Sequence, residues 1–207
     1  MRRTKITIAL IMTVAVLLGA MGCSKKLTRQ DFISGLESYG IEKTDDVSKV
    51  TATLVRGGGT VYYVARDKEE AGKLSNTVMN RFNERDEIKA VDFVLAVVME
   101  SGSNDRLYNS FACYLAFDSS KEAEKAYNGI VDAYGDMENG KTGQRSGVTY
   151  CIDSGVSGAK TNKIGTGIYL QGNTVIFLRT QAAAEDEYKF VEQICGKLGL
   201  ISPSKAE

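Results

Sequence analysis

Histidine is absent from the 207 residues, which removes Ser-His and Cys-His nucleophiles and every histidine-ligated metal site at once. Any remaining nucleophile would need a lysine or a carboxylate as its base. Ser157-Gly158-Ala159-Lys160 has the S-x-x-K spacing and Lys141-Thr142-Gly143 is a K-T-G triplet, both used in serine acyl-enzyme chemistry. Their order is reversed, no S-x-N lies between them, and the serine sits in a glycine-rich loop instead of opening a buried helix. Gly135-Asp136-Met137-Glu138-Asn139-Gly140-Lys141-Thr142 fits G-x-x-x-x-G-K-[ST] letter for letter. A loop of that kind cradles phosphate only where it follows a buried strand and opens a helix. Here a helical segment precedes it, a strand follows it, and Asp136 and Glu138 would repel phosphate. Both matches are read as coincidences on solvated loops. No catalytic, cofactor-binding or metal-ligating residue is assigned, no enzyme activity is expected, and nucleotide is not an expected ligand.

The remaining reactive side chains have structural readings. Cys113 alternates with Phe111, Leu115 and Phe117 on one strand face and Cys195 lies on the apolar face of the last helix, so both read first as small core residues. An exported location permits one disulfide, and among Cys113, Cys151 and Cys195 the candidate pair is Cys113 with Cys195. The pairs Glu69-Glu70 and Glu185-Asp186-Glu187 fall in first helical turns, where carboxylates complement the helix dipole. Asp45-Asp46 lacks the alternating spacing of a calcium loop. Tyr62, Tyr63, Tyr114 and Tyr169 could form a ligand-stacking surface, although cross-strand packing explains them equally well.

The fourth cysteine is different. Arg2, Arg3 and Lys5 precede an apolar run from Ile6 to Leu18 broken only by Thr7 and Thr13, and no charge follows until Lys25. That is the layout of an export signal, and the run is short for a helix crossing ~30 Å of hydrocarbon. It softens into Gly19-Ala20-Met21-Gly22-Cys23. This segment resembles the lipobox of bacterial lipoproteins, the substrates of the lipoprotein signal peptidase, with Ala20 where leucine is usual. The resemblance implies cleavage between Gly22 and Cys23 and a diacylglycerol on the Cys23 thiol, whose two acyl chains would give stable anchoring on the outer side of a membrane. Removing residues 1–22 takes away three of the 26 basic residues and none of the 26 acidic ones, a mature charge of about −3. Nucleic-acid partners normally require a basic patch on a basic domain, so none is expected.

These groups must be positioned by elements that the pattern also delineates. Ser24-Lys25-Lys26-Leu27 separates Cys23 from a helix over residues 28–39, capped by Thr28 and closed by Gly40-Ile41. Four residues reach at most ~14 Å, which holds the domain close to the membrane. Residues 50–55 and 61–65 read as a hairpin around Gly57-Gly58-Gly59, followed by a helix with an Asp67/Glu70 capping box. The order recurs: strands over 91–99 and 107–117, then a helix capped by Ser119 and Glu122. A polar loop over 135–147 leads to a strand near 148–152, a hairpin around Gly172-Asn173, and a helix over 184–198 closed by Gly199-Leu200. The expected fold is α+β: an antiparallel sheet of hairpin-then-helix units with helices packed on one side. The expected divisions are a signal peptide over 1–22, a lipidated tether over 23–27, one domain over 28–201 and a C-terminal tail over 202–207. Asp31-Phe32, the Tyr114 to Asp118 strand end and Asn173-Thr174-Val175 loosely resemble small uncharacterised lipoproteins of Gram-positive bacteria, a family with no activity to transfer.

The expected function is that of a membrane-anchored extracytoplasmic lipoprotein, a non-catalytic interaction module meeting an envelope protein or wall component. The alternative is a solute-binding lipoprotein using loops 135–147 and 153–162 beside an aromatic sheet face.

Overall fold

In a computed structural model of the chain, residues 26–56, 60–79, 88–101, 107–134, 140–156, 162–183 and 188–206 are described. Gly22, Cys23, Ser157, Lys160 and Glu185 to Glu187 lie outside them.

The helices begin and end where side chains can satisfy the free backbone groups at their termini. In α1 (Arg29–Ser38), Thr28 Oγ1 accepts from the Asp31 amide at 3.1 Å, and Phe32 and Leu36 face the core. Its end is a Schellman closure: Gly40 adopts φ 89° and the Ile41 amide donates to Leu36 O at 3.2 Å. The last helix, α5 (Lys189–Leu198), closes in the same way through Gly199 at φ 72° and a 2.8 Å bond from Leu200 N to Cys195 O.

Val47–Arg56, whose first β-branched run was expected to be a strand, is a helix, α2. Asp46 decides this locally, because its carboxylate accepts from the Ser48 amide at 3.0 Å and so caps a helix start. Val50 is then buried and Val47 packs beside it at helical spacing. After β2 (Val61–Val64) comes α3 (Lys68–Met79), opened by the Asp67/Glu70 box. A hairpin of β3 (Asp92–Ser101) and β4 (Leu107–Ala116) leads to α4 (Ser120–Tyr134), opened by Ser119 and Glu122. The expected loop over 135–147 contains a strand, β5 (Lys141–Arg145), which turns through Ser146 and Gly147, both at positive φ, into β6 (Val148–Val156). β7 (Asn162–Gln171) and β8 (Thr174–Ala183) form the Gly172-Asn173 hairpin that the sequence predicts.

With the two-residue β1 (Glu42–Lys43), these strands form one sheet in the order β1-β2-β3-β4-β8-β7-β6-β5, antiparallel except for the β1/β2 pair. The α+β class is as expected. The one-sided helix layer is not. Alternate residues of each strand enter two separate cores: Val94, Ala96, Ala112, Tyr114, Ile176 and Leu178 pack with α1 and α5, whereas Phe93, Leu95, Cys113, Leu115, Val175 and Phe177 pack with α2, α3 and α4. Helices therefore cover both faces. The central strands are apolar at nearly every position because neither face is wet.

On the α1/α5 face, glycines in β5 and β7 leave grooves that tyrosine rings fill. An ideal Cβ at Gly143 would stand 2.6 Å from Tyr150 Oη, and one at Gly165 would stand 2.6 and 2.8 Å from two ring carbons of Tyr188. Gly167 is covered by Tyr169 in the same way. Tyr169 is fully buried, and its hydroxyl donates to Ile201 O at 2.7 Å. That bond helps explain why residues 202–206 of the expected tail are structured: Ser202 and Pro203 are buried, and a 3-10 turn over Pro203–Ala206 rests on β6 and β7.

Since a Cβ has no room beneath Tyr188, the Gly165→Ala protein should be destabilised by about 1–3 kcal/mol, the usual cost of overpacking. A urea midpoint unchanged from the parent protein would refute the close approach.

Candidate functional site

The registers place the N-termini of α3 and α4 at one end of the sheet. Asp92 pairs with Ala116, Ala116 with Thr174, and Thr174 with Gln171, so one row crosses four strands at that end. Lys89, Ala90 and Val91 lie just before this row on the chain, and Asp118 just after it. Together with α3 and α4 they enclose a cavity of about 440 Å³, lined by Lys68, Gly72, Lys73, Asn76, Lys89 and Asp118 among others. That volume is within the range of small-molecule sites.

Its charges are balanced. Lys68, Lys73 and Lys89 face Glu69, Asp118 and Glu122. Lys68 Nζ reaches Asp118 Oδ2 at 2.5 Å from one helix to the end of the neighbouring hairpin, with both side chains more than half exposed. Lys73 and Glu69 pair at 2.6 Å along α3. Glu122 serves the Ser119 cap. The carboxamide oxygen of Asn76 is shielded from solvent without a hydrogen-bond partner, which is costly for a polar atom. Beside the cavity, Glu70 gathers Arg66 at 2.6 Å and the Tyr63 hydroxyl at 2.9 Å. The Arg66 guanidinium holds the Glu70 carboxyl down at about 2, chiefly through that hydrogen bond. Its walls thus carry the Lys68–Asp118 and Lys73–Glu69 pairs and the Glu122 carboxylate of the Ser119 cap.

The sequence candidates sit elsewhere. Lys141 and Thr142 belong to the edge strand β5, paired with Ile152 and Cys151, so no helix follows the Gly-Lys-Thr triplet and no phosphate cradle forms. The S-x-x-K serine and lysine lie outside the described residues, as do Gly22 and Cys23. Cys113, Cys151 and Cys195 are buried free thiols. The Cys113 with Cys195 pairing is corrected: the two occupy opposite faces of the sheet. Cys113 and Cys151 share a face but are three strand spacings apart, ~14 Å, beyond the Cα reach of a disulfide. Burial raises all three thiols, Cys195 to about 12, and so suppresses the thiolate. Among the described residues no group of three His, Cys, Asp or Glu side chains could hold a metal ion.

Of the two readings open for the strand tyrosines, packing holds and a ligand-stacking surface does not. Tyr62, Tyr63, Tyr114 and Tyr169 are buried, with the first two hydroxyls bound to Glu37 and Glu70. Burial, seconded by Glu37, pushes Tyr62 up to about 12. Of the loops expected to hold a solute, 135–147 and 153–162, residues 141–145 and 153–156 belong to strands, while 135–139 and 157–161 lie outside the described residues. The α3/α4 cavity has a signal in the sequence: two capping boxes, each after a strand that finishes at the same end of the sheet, bring two helix N-termini together.

No family model and no curated protein matches the chain. Among solved structures, it is similar to the extracellular domain of PknH from Mycobacterium tuberculosis, with 9% identity and a TM-score of 0.39 over 85% of this chain and 98% of that one. Among the described residues no helix is long and apolar enough to cross a membrane.

Two measurements check this chemistry. In the Cys23→Ala protein, a chromogenic disulfide reagent at pH 8 should find no reactive thiol in the native state and Cys113, Cys151 and Cys195 after denaturation without reductant; a bridge would leave only one. For Glu70, whose folded value lies below the unfolded 4.5, the stabilisation is full above pH 4.5 and lost as pH falls through about 2. Glu70→Gln should therefore cost about 1 kcal/mol at pH 7, with the gap to the parent narrowing across that window in urea titrations.

Proposed function

We propose that the protein is an exported lipoprotein, cleaved between Gly22 and Cys23 and held on the outer side of a membrane by lipid on Cys23, whose domain acts as a non-catalytic interaction module for an envelope protein or wall component. One observation carries the reading furthest. Leu27 is 2% exposed and its amide donates to Gln171 Oε1 at 2.6 Å, so it belongs to the core and not to a free tether. Four residue steps then separate the lipidated cysteine from the folded body, a reach of ~14 Å. Such a module works on what lies against the membrane and cannot sample the periphery.

Absence of histidine and burial of the three remaining thiols support a binding role over a catalytic one. A solute-binding lipoprotein is the second reading, favoured by the 440 Å³ cavity between α3 and α4 instead of by the loops first considered.

Cys23→Ala should move the protein from the membrane fraction to the soluble extracytoplasmic fraction with its thermal unfolding unchanged. Cross-linking on intact cells followed by mass spectrometry should then capture a membrane-proximal partner with the parent protein and lose it with the variant. A partner captured equally by the released form would overturn the proximity argument, and an unaltered membrane fraction would overturn the anchor.

A further inference from the structure

We propose that the outer edge of β5 takes an extended acidic segment of an envelope protein as an added antiparallel strand, with carboxylates four residues apart facing Lys141 and Arg145. The inference rests on the interaction-module reading and deepens it by naming the surface and the partner's chemistry. β5 closes one side of the eight-stranded sheet, and among the described residues its one ladder partner is β6. Ser146 at φ 50° and Gly147 at φ 72° form a two-residue hairpin turn whose flanking residues, Arg145 and Val148, exchange backbone hydrogen bonds. By alternation, Gly143 with Tyr150 and Lys141 with Ile152 make the same exchange, so the N–H and C=O of Thr142 and Gln144 point away from the sheet. Both residues are exposed, and β5 holds neither a proline nor a bulge that would blunt the edge.

Charge chooses the occupant. Lys141, Gly143 and Arg145 share the face of Val148 and Ile152, and the strand carries two cations and no carboxylate. A second copy, aligned so that Thr142 meets Gln144, would set each Lys141 directly across from an Arg145, and like charges so placed repel. An acidic strand in the same alignment sets a carboxylate against each cation, the two sites ~13 Å apart on either strand. Between the cations Gly143 has no side chain, and the Tyr150 ring lies over it, with Oη 2.6 Å from where a Cβ would stand. The partner residue opposite Gly143 therefore meets a phenol, which the methyl and hydroxyl of a threonine suit. Position adds to this. Thr149 pairs with Leu170 and Leu170 with Val175, so the Arg145 end of β5 lies at the end of the sheet where Gln171 holds Leu27. On the anchor reading that is the membrane-proximal end, so an extended segment of a protein lying against the membrane can run alongside it. Main-chain bonds at Thr142 and Gln144 then supply affinity, and the two cations supply selectivity.

The test uses the full chain purified in detergent and two end-blocked fluorescent peptides, Glu-Val-Thr-Val-Glu and Lys-Val-Thr-Val-Lys, in anisotropy titrations. The glutamate peptide should bind about tenfold tighter than the lysine peptide. Gln144→Pro removes an outward N–H without touching the ladder to β6, a place where edge strands tolerate proline, and should weaken that binding about tenfold with thermal unfolding unchanged. Arg145→Glu, a change at an exposed side chain, should weaken it by a similar factor. Hydrogen exchange at the Thr142 and Gln144 amides should slow when the glutamate peptide is added. No binding, equal affinity for the two peptides, or unaltered exchange at those amides would overturn the proposal. Full affinity in Gln144→Pro would reduce the contact to charge attraction and overturn strand addition, and a dimer of the full chain that excludes the peptide would give the edge to a second copy. On intact cells the cross-linked partner should be lost with Gln144→Pro; a partner still captured would overturn the edge and leave the interaction-module reading standing.

Discussion

The ladder between β4 and β8 is the constraint on which the rest of the architecture depends. Six residue pairs, from Phe111 with Arg179 to Ala116 with Thr174, join two hairpins that are far apart in sequence. Without them each hairpin would expose one long apolar edge and two unpaired faces. With them, a single sheet acquires two dry faces, and the apolar residues of β3, β4 and β8 divide by parity between two helix layers. The same ladder fixes which strand ends coincide. The pairings of β3 with β2 and with β4 bring the starts of α3 and α4 side by side, and the β4–β8 ladder puts the Leu27 exit at the same end of the sheet.

Signals that act within a few residues were legible in the sequence. The caps at Thr28, Asp67 and Ser119, the closures at Gly40 and Gly199, and the Gly172-Asn173 turn all form as their residue types require. Where two local signals compete, composition alone does not rank them: Val50 and Thr51 favour strands, but the Asp46 cap and the helical burial of Val50 decide for α2. β5 was unreadable because an edge strand, exposed at nearly every residue, shows no alternation of polar and apolar side chains. The two-sided helix layer depends on long-range pairing, which no window of the sequence contains.

Reactive groups were harder still to place, because their chemistry depends on which face they occupy. Cys113 and Cys195 are both small residues in apolar patterns, and only the parity of β4 against the position of α5 separates them by the thickness of the sheet. The strand tyrosines suited a platform or cross-strand packing equally in the sequence, and they pack: their rings sit on glycine backbones or in the core, with hydroxyls turned to Glu37, Glu70 and Ile201 O. The cavity draws on residues from three separate segments, none of which forms a motif alone.

For a chain that emerges N-terminus first, the β4–β8 ladder also imposes an order of events. β3 and β4 can pair as soon as Ala116 is free, but the partner of β4 is not complete until Ala183 has followed, 67 residues later. During that interval β4 presents an open, apolar edge of the kind that captures foreign strands. The polar stretch of α4 and β5, which emerges in the meantime, delays closure without covering that edge, so this half of the molecule is vulnerable for as long as synthesis or translocation takes to deliver β8.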